Sequence, residues 1–257
     1  MIPRNIYRKI YRTIKKIAER MGYNLVITQK YKGLGENYES ILPSATYAPW
    51  LRDNLFNETF QAVENNTLVD KYKCYELWQL VAETTKLRGA IIEIGTWRGG
   101  SGVLIAKRAK LVGIKDAVYL CDTFKGIVKA NANDSSHKNG DLSDTSEEIV
   151  KEVVHKLKLD NVKILTGVFP DETSHLITEK EFRFCHIDVD VYQSAKDIVG
   201  WLWPKLTIGG FIIFDDYGDE RCDGITKFVN EEREKKDRII FYNINGHAII
   251  TKLPPTN

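Results

Sequence analysis

Two regimes of hydrophobic patterning divide the chain. From residue 89 onward, short β-rich apolar runs alternate with stretches of helical spacing, the pattern of a parallel sheet built from βαβ units. The runs predict strands at residues 90–95, 117–124, 162–168, 182–188 and 210–215, followed by 239–244 and 247–252. Helical patterns fill the gaps at 101–110, 145–158, 191–206 and 224–236. Thr145 and Glu148 have the T-x-x-E spacing of a capping box, which predicts where the second of these helices starts. Asn245-Gly246 joins the last two runs as a hairpin signal, so an antiparallel pair should end an otherwise parallel sheet.

Upstream the spacing is purely helical. Ile6, Ile10, Ile14 and Ile17 recur at steps of four, four and three, with Tyr7 and Tyr11 beside them, predicting an amphipathic helix over residues 3–20. A polar stretch, 29–44, separates this arm from two further helical patterns within 50–80. The second of these runs from about Leu68 through Tyr72, Tyr75, Leu77, Trp78 and Val81. The expected organisation is a helical arm and linker over 1–44 and an α/β domain over 45–257.

Composition narrows the picture. With 257 residues, 43% hydrophobic and 28% charged, the chain has the makeup of a soluble globular protein that buries a real core. The 37 basic residues nearly cancel the 35 acidic ones, so nothing in the total demands a polyanion. With no Asn/Asp-Pro-Pro-Tyr tetrapeptide either, a nucleic-acid partner is not expected. Residues 1–20 are the exception: seven Lys/Arg against Glu19 alone give a local charge of +6, leaving the other 237 residues at −4. Such a segment suits an anionic membrane surface or packing on its own subunit or a partner, and the pattern leaves both open. The aromatic segment 47–80 offers a surface for homo-oligomer formation. No run approaches the roughly 18 to 20 apolar residues of a membrane span, and the basic start lacks the apolar core of a signal peptide. The expected location is cytoplasmic, with the arm as the element that would reach the inner membrane surface. Cys74, Cys121, Cys185 and Cys222 lie 47, 64 and 37 residues apart, which is neither a zinc-ribbon nor a disulfide spacing.

Candidate chemistry gathers at strand ends. Residues 91–101, Ile-Ile-Glu-Ile-Gly-Thr-Trp-Arg-Gly-Gly-Ser, are an apolar strand running into a glycine-rich turn that opens a helix. A turn of this kind lets a ligand approach the backbone and aims free N–H groups at it. Gly95, Gly99 and Gly100 do not have the G-x-G-x-x-G spacing, so a nicotinamide dinucleotide is not favoured. Asp122 ends the next strand, where an acid accepts hydrogen bonds from ribose hydroxyls or simply caps a turn. Asp188 and Asp190, then Asp215 and Asp216, follow two further strands. If those strands are neighbours, Asp188, Asp215 and Asp216 converge, and their repulsion calls for an oxygen-loving dication such as Mg²⁺. The alternative is that some of them cap the following helices. His137 sits in a long polar insertion, 125–143, with the length of a lid.

In combination, Glu93-Ile-Gly-Thr-Trp-Arg-Gly-Gly100, Asp122-Thr-Phe-Lys-Gly126, Asp188-Val-Asp190-Val-Tyr192 and 209–217, Gly-Gly-Phe-Ile-Ile-Phe-Asp-Asp-Tyr, resemble the motifs of the macrocin O-methyltransferase family. These TylF/MycF-type sugar methyltransferases belong to the class I S-adenosylmethionine enzymes. The resemblance covers roughly residues 45–252. It implies a Rossmann-like, seven-stranded methyltransferase sheet with a C-terminal antiparallel hairpin, to which the helical arm is an N-terminal extension. It further implies that Glu93, Gly95, Thr96, Gly99, Gly100 and Ser101 hold S-adenosylmethionine, with Asp122 on its ribose. Asp188, Asp215 and Asp216 would be the Mg²⁺ ligands, with Asp188 also the general base and His137 the active-site histidine. The implied acceptor is a sugar hydroxyl of a glycan, glycoside or nucleotide sugar. Two rivals share the residues: a catechol-type methyltransferase acting on an aromatic vicinal diol, and a non-methylating nucleotide-sugar-binding protein. The basic helix 1–20 has no counterpart in the antibiotic-pathway members.

Overall fold

The computed structural model describes residues 13–22, 38, 41 and 45–255, and the chain divides into two units, Met1–Ser44 and Ala45–Asn257. In the first, residues 13–20 are helical (α1) with Ile14 and Ile17 exposed. The remainder of the amphipathic helix expected over 3–20 lies outside the described residues. Among the described residues no helix is long and apolar enough to cross a membrane.

The second unit opens with two capped helices. Asp53 accepts the Phe56 amide at 2.9 Å to start α2 (Asn54–Val63), and its other oxygen accepts Trp78 Nε1 at 3.1 Å. One carboxylate therefore caps α2 and ties it to α3 (Lys71–Glu83), itself capped by Asp70 through the Tyr72 and Lys73 amides. Strands β1 (Ala90–Ile94), β2 (Val118–Asp122), β3 (Val162–Thr166), β4 (Phe182–Ile187), β5 (Leu206–Phe214), β6 (Arg238–Tyr242) and β7 (Ala248–Lys252) form one sheet in the order β3-β2-β1-β4-β5-β7-β6. The first five pair in parallel; β7 runs antiparallel to both β5 and β6. The hairpin therefore enters the sheet with its second strand innermost.

Helices α4 (Gly100–Leu111), α5 (Glu147–Lys156), α6 (Tyr192–Leu202) and α7 (Asp223–Glu232) complete the α/β core. Alternation along the strands sorts the apolar side chains into two layers. Ile91, Phe184 and Ile213 pack with residues of α2 to α5, including Phe56, Trp78, Leu104 and Val150. Ile92, Cys185 and Ile212 pack with α6 and α7 through Ile198, Leu202 and Phe228. The strand order reverses between β1 and β4, and such a switch point leaves a crevice at the strands' C-terminal ends where ligands bind.

Several boundaries differ from expectation, among them those of α6, β5 and α5. Helix α6 stops at Leu202 rather than near 206 because Pro204, within the 3₁₀ turn Trp203–Lys205, has no N–H to continue the ladder. Strand β5 begins at Leu206 rather than at 210 and runs through the Gly209-Gly210 pair, and its register with β4 shifts between Phe182 and Phe184. The cap of α5 is Ser146, whose Oγ accepts the Ile149 amide at 3.3 Å, and not Thr145. Thr145 instead gives its hydroxyl proton to the Trp97 carbonyl, tying this helix start to the turn after β1.

Close approach of α4 to β1 depends on Gly102, where an added Cβ would sit 2.2 Å from Glu93 Oε2 and 2.5 Å from the Leu120 side chain. Gly102→Ala is expected to destabilise the protein by about 1 to 3 kcal/mol, read by thermal unfolding, as overpacking in a closed interior does. An unchanged melting temperature would show that α4 has room to move.

Candidate active site

At the switch point, β1 turns sharply at Gly95. Its φ is 89°, and a Cβ there would fall 1.7 Å from the Asp188 carbonyl oxygen, so only glycine lets the β4 tip lie this close. The Asp188 amide completes the contact by donating to the Ile94 carbonyl at 2.9 Å. Beyond the turn, Asp122 at the end of β2 accepts the Trp97 amide on one oxygen and the Phe124 amide on the other, each at 2.7 Å. Burial pushes the Asp122 pKa up, and these two N–H groups pull against it. The result is a cavity of about 490 Å³ whose lining includes Gly95, Thr96, Ser101 and Asp122 on one side and Asp188, Asp215 and Asp216 on the other.

Three residues expected at the cofactor stand behind this wall. Glu93 is fully buried, accepting the Thr96 hydroxyl at 2.6 Å and pairing with His186 Nδ1 at 2.9 Å. It and His186 are register partners on β1 and β4, so its carboxylate points under the turn and not into the cavity. Gly99 packs against Val150, and Gly100 against the backbone of Asn66. All three shape the turn from outside the cavity lining.

The carboxylates converge as expected: Asp188, Asp215 and Asp216 each offer an oxygen, all within 4.8 Å of one another. The surroundings of these oxygens were not legible in the sequence. Lys73, a buried residue of α3, places Nζ 2.8 Å from Asp215 Oδ1 and 3.0 Å from Asp216 Oδ1. His247, just before β7, sets Nε2 2.9 Å from Asp215 Oδ1 while Nδ1 meets Glu76 of α3 at 2.5 Å. Charge then distributes unevenly. Burial alone would raise Asp215, but His247 and Lys73 outweigh it and hold its carboxyl well below the usual range. Asp215 and Glu76 together overcome burial to push His247 up to about 9. Asp188 is pushed up strongly by burial and by Asp215, Asp190 and Asp216. Asp190, also buried beside Asp216, rises to about 6.

Four carboxylates thus face one ammonium and one imidazolium, and Glu76 shares the latter. The mutual repulsion of the carboxylates, their oxygen donors and the spacing of the trio fit a hard dication such as Mg²⁺, with Lys73 remaining as a neighbour to Asp215 and Asp216.

On the far side of the cavity lies the segment 123–146, which has neither helix nor strand. It is nevertheless anchored. Asp134 Oδ1 accepts the Tyr192 amide at the start of α6 at 2.9 Å, and the Ser135 amide donates to Asp223 of α7 at 3.0 Å. These anchors bring His137 to the cavity wall, with Nε2 3.5 Å from Cys222 Sγ and 3.9 Å from Asp190 Oδ1. Cys222 and Asp190 carry no site signal by residue type alone, although Asp190 shares the D-x-D spacing with Asp188.

The seven-stranded sheet, its helices and the cavity at the switch point define the Rossmann-like fold of class I methyltransferases. The solved O-methyltransferase NovP superposes with a TM-score of 0.65 at 25% identity, covering 74% of this chain and 83% of that one. A family model described as Macrocin-O-methyltransferase (TylF) matches residues 62–246, and the chain belongs to that family. Demethyldecarbamoylnovobiocin O-methyltransferase of Streptomyces niveus is 31% identical over 161 residues, which are 58% of this chain and 60% of the relative. 8-Demethyl-8-(2,3-dimethoxy-alpha-L-rhamnosyl)-tetracenomycin-C 4′-O-methyltransferase of Streptomyces olivaceus is 30% identical over 146 residues, 52% of this chain and 55% of the relative. The match thus spans somewhat over half the length of these curated relatives.

Lys73 gives the site its first test. Lys73→Met keeps the side-chain stem but leaves Asp215 and Asp216 without their ammonium, and removing one partner of a buried pair costs about 3 kcal/mol or more. Denaturant unfolding in EDTA is expected to show a loss of that order, with part of it recovered when Mg²⁺ is added. An unchanged unfolding free energy would mean that these carboxylates are neutralised in another way.

Proposed function

We propose that the protein transfers a methyl group from S-adenosylmethionine to a hydroxyl of a sugar, within a glycan, glycoside or nucleotide sugar, in a reaction that depends on Mg²⁺. One observation carries this reading: a glycine turn with an acid at the tip of the next strand and a trio of carboxylates open into the same cavity. The relatives support it, since each is an O-methyltransferase by name and one name specifies a rhamnosyl-bearing acceptor.

Gly95, Thr96 and Ser101 line the side of the cavity suited to the methyl donor, with Asp122 as the acceptor for its ribose hydroxyls. Asp188, Asp215 and Asp216 would hold Mg²⁺. Bound S-adenosylmethionine supplies an electrophilic methyl group, and Mg²⁺ supplies Lewis acidity that makes a sugar hydroxyl easier to deprotonate. The work of the chain itself is orientation and proton removal. Asp188 takes the hydroxyl proton onto a carboxylate oxygen. Burial and three neighbouring aspartates raise its proton affinity in the metal-free site and a bound dication would lower it again, so its suitability as a base rests on its place beside the coordinated hydroxyl. Asp215, held ionised by Lys73 and His247, stays a permanent anion beside it. Ile127, Val128, Leu142 and Phe169 close the apolar part of the wall and limit water at the reacting atoms. His137, brought to the cavity by the 123–146 segment, is assigned to the acceptor.

Asp188→Ala is expected to lower methyl transfer by at least about a hundredfold while leaving S-adenosylhomocysteine binding, measured by calorimetry, unchanged. EDTA should abolish turnover in the wild type and Mg²⁺ should restore it. A panel of glycans, nucleotide sugars and aromatic diols with labelled donor identifies the acceptor class. Normal turnover in Asp188→Ala, or methylation confined to aromatic diols, would refute the reading.

A further inference from the structure

Beside the carboxylate trio lies a second cluster with different donors. Cys222 Sγ, at the start of α7, is 3.5 Å from His137 Nε2 and 3.6 Å from Asp190 Oδ1, and those two atoms are 3.9 Å apart. The three side chains come from three separate elements: the 123–146 segment, the turn between β4 and α6, and the N-terminus of α7.

We propose that His137, Asp190 and Cys222 form a second cation site, which takes a borderline-soft divalent ion of the zinc class and fastens the 123–146 segment over the cavity. The distances carry the argument. A tetrahedral zinc ion with ordinary bond lengths of about 2.3 Å to sulfur, 2.0 Å to nitrogen and 2.1 Å to oxygen holds its ligand atoms about 3.6 Å apart for S···N and S···O, and about 3.4 Å for N···O. Two of the three separations already have these values, and the third closes by a movement of about 0.5 Å in one loop side chain. Asp216 Oδ2, 3.8 Å from Cys222 Sγ, is the nearest further donor, leaving the fourth position to it or to water.

Chemistry separates this cluster from the trio next to it. Thiolate and imidazole select zinc, cobalt and related ions, whereas three carboxylate oxygens suit Mg²⁺. The consequence is mechanical. His137 is the only one of the three ligands on the 123–146 segment, so an ion here adds a tie between that segment and the residues at the starts of α6 and α7, beside those made by Asp134 and Ser135. The inference stands on the cluster alone and does not require the methyl-transfer reading.

Cobalt(II) titration of the purified protein in excess Mg²⁺ tests it. The expected result is a near-ultraviolet thiolate-to-cobalt charge-transfer band together with the intense visible bands of tetrahedral cobalt, both displaced by zinc. Cys222→Ser should lose the charge-transfer band while keeping its circular dichroism and melting temperature, and Asp188→Asn should retain it. In the same protein, zinc should slow tryptic cleavage after the exposed Lys138, an effect absent in Cys222→Ser. No band in the wild type, or a band that survives in Cys222→Ser, would overturn the site and reduce the cluster to an S–H···N hydrogen bond. Cleavage at an unchanged rate would overturn the fastening of the segment.

Discussion

Like charges confined in a buried space set the terms for this molecule. Asp188, Asp190, Asp215 and Asp216 follow the ends of two adjacent parallel strands, and their repulsion is relieved only by what other parts of the chain bring to them. Helix α3 brings Lys73 to Asp215 and Asp216, and the residue before β7 brings His247 to Asp215, itself backed by Glu76 of the same helix. These contacts compensate one end of the cluster. Asp188 and Asp190, at the other end, keep raised proton affinities, and a dication there would relieve the repulsion that raises them.

Architecture explains why the charges gather there. Parallel strands end on one edge of the sheet, and the reversal of strand order between β1 and β4 leaves that edge open. Gly95 then lets the β4 tip approach the β1 turn, which puts the carboxylate trio and the donor-side wall around a single cavity. Glu93 and His186, paired beneath the turn, fill with hydrogen bonds a position on adjacent strands that would otherwise bury a lone charge. The antiparallel hairpin contributes as well, since β7 lies beside β5 and so delivers His247 to Asp215.

Much of this could be read from local pattern. Strands β1 to β4 and the paired β6 and β7 lie close to where apolar runs and Asn245-Gly246 place them, because period and turn chemistry are local properties. The convergence of Asp188, Asp215 and Asp216 was legible for a related reason: each directly follows a strand, and parallel strands carry such residues to the same edge. What could not be read is long range. Lys73 meets Asp216 across 143 positions and Glu76 meets His247 across 171, and nothing in an amphipathic helix marks which lysine will be buried. The surroundings of Glu93 could not be read either: the resemblance implies a place at the cofactor, while strand alternation points its side chain to the face covered by α4, where His186 and Thr96 take both oxygens. Thr145 has the capping-box spacing, yet the neighbouring Ser146 caps the helix and Thr145 reaches Trp97.

On this reading one hard dication held by three aspartates completes the carboxylate cluster, with Lys73 retained beside it. Anomalous diffraction from crystals of the protein grown with Mn²⁺ and S-adenosylhomocysteine tests it most directly. The expected result is a single strong peak in contact with Asp188, Asp215 and Asp216, and the donor product along the Gly95 turn with its ribose at Asp122. A cavity holding the product but no anomalous peak, with Lys73 alone bridging Asp215 and Asp216, would contradict it.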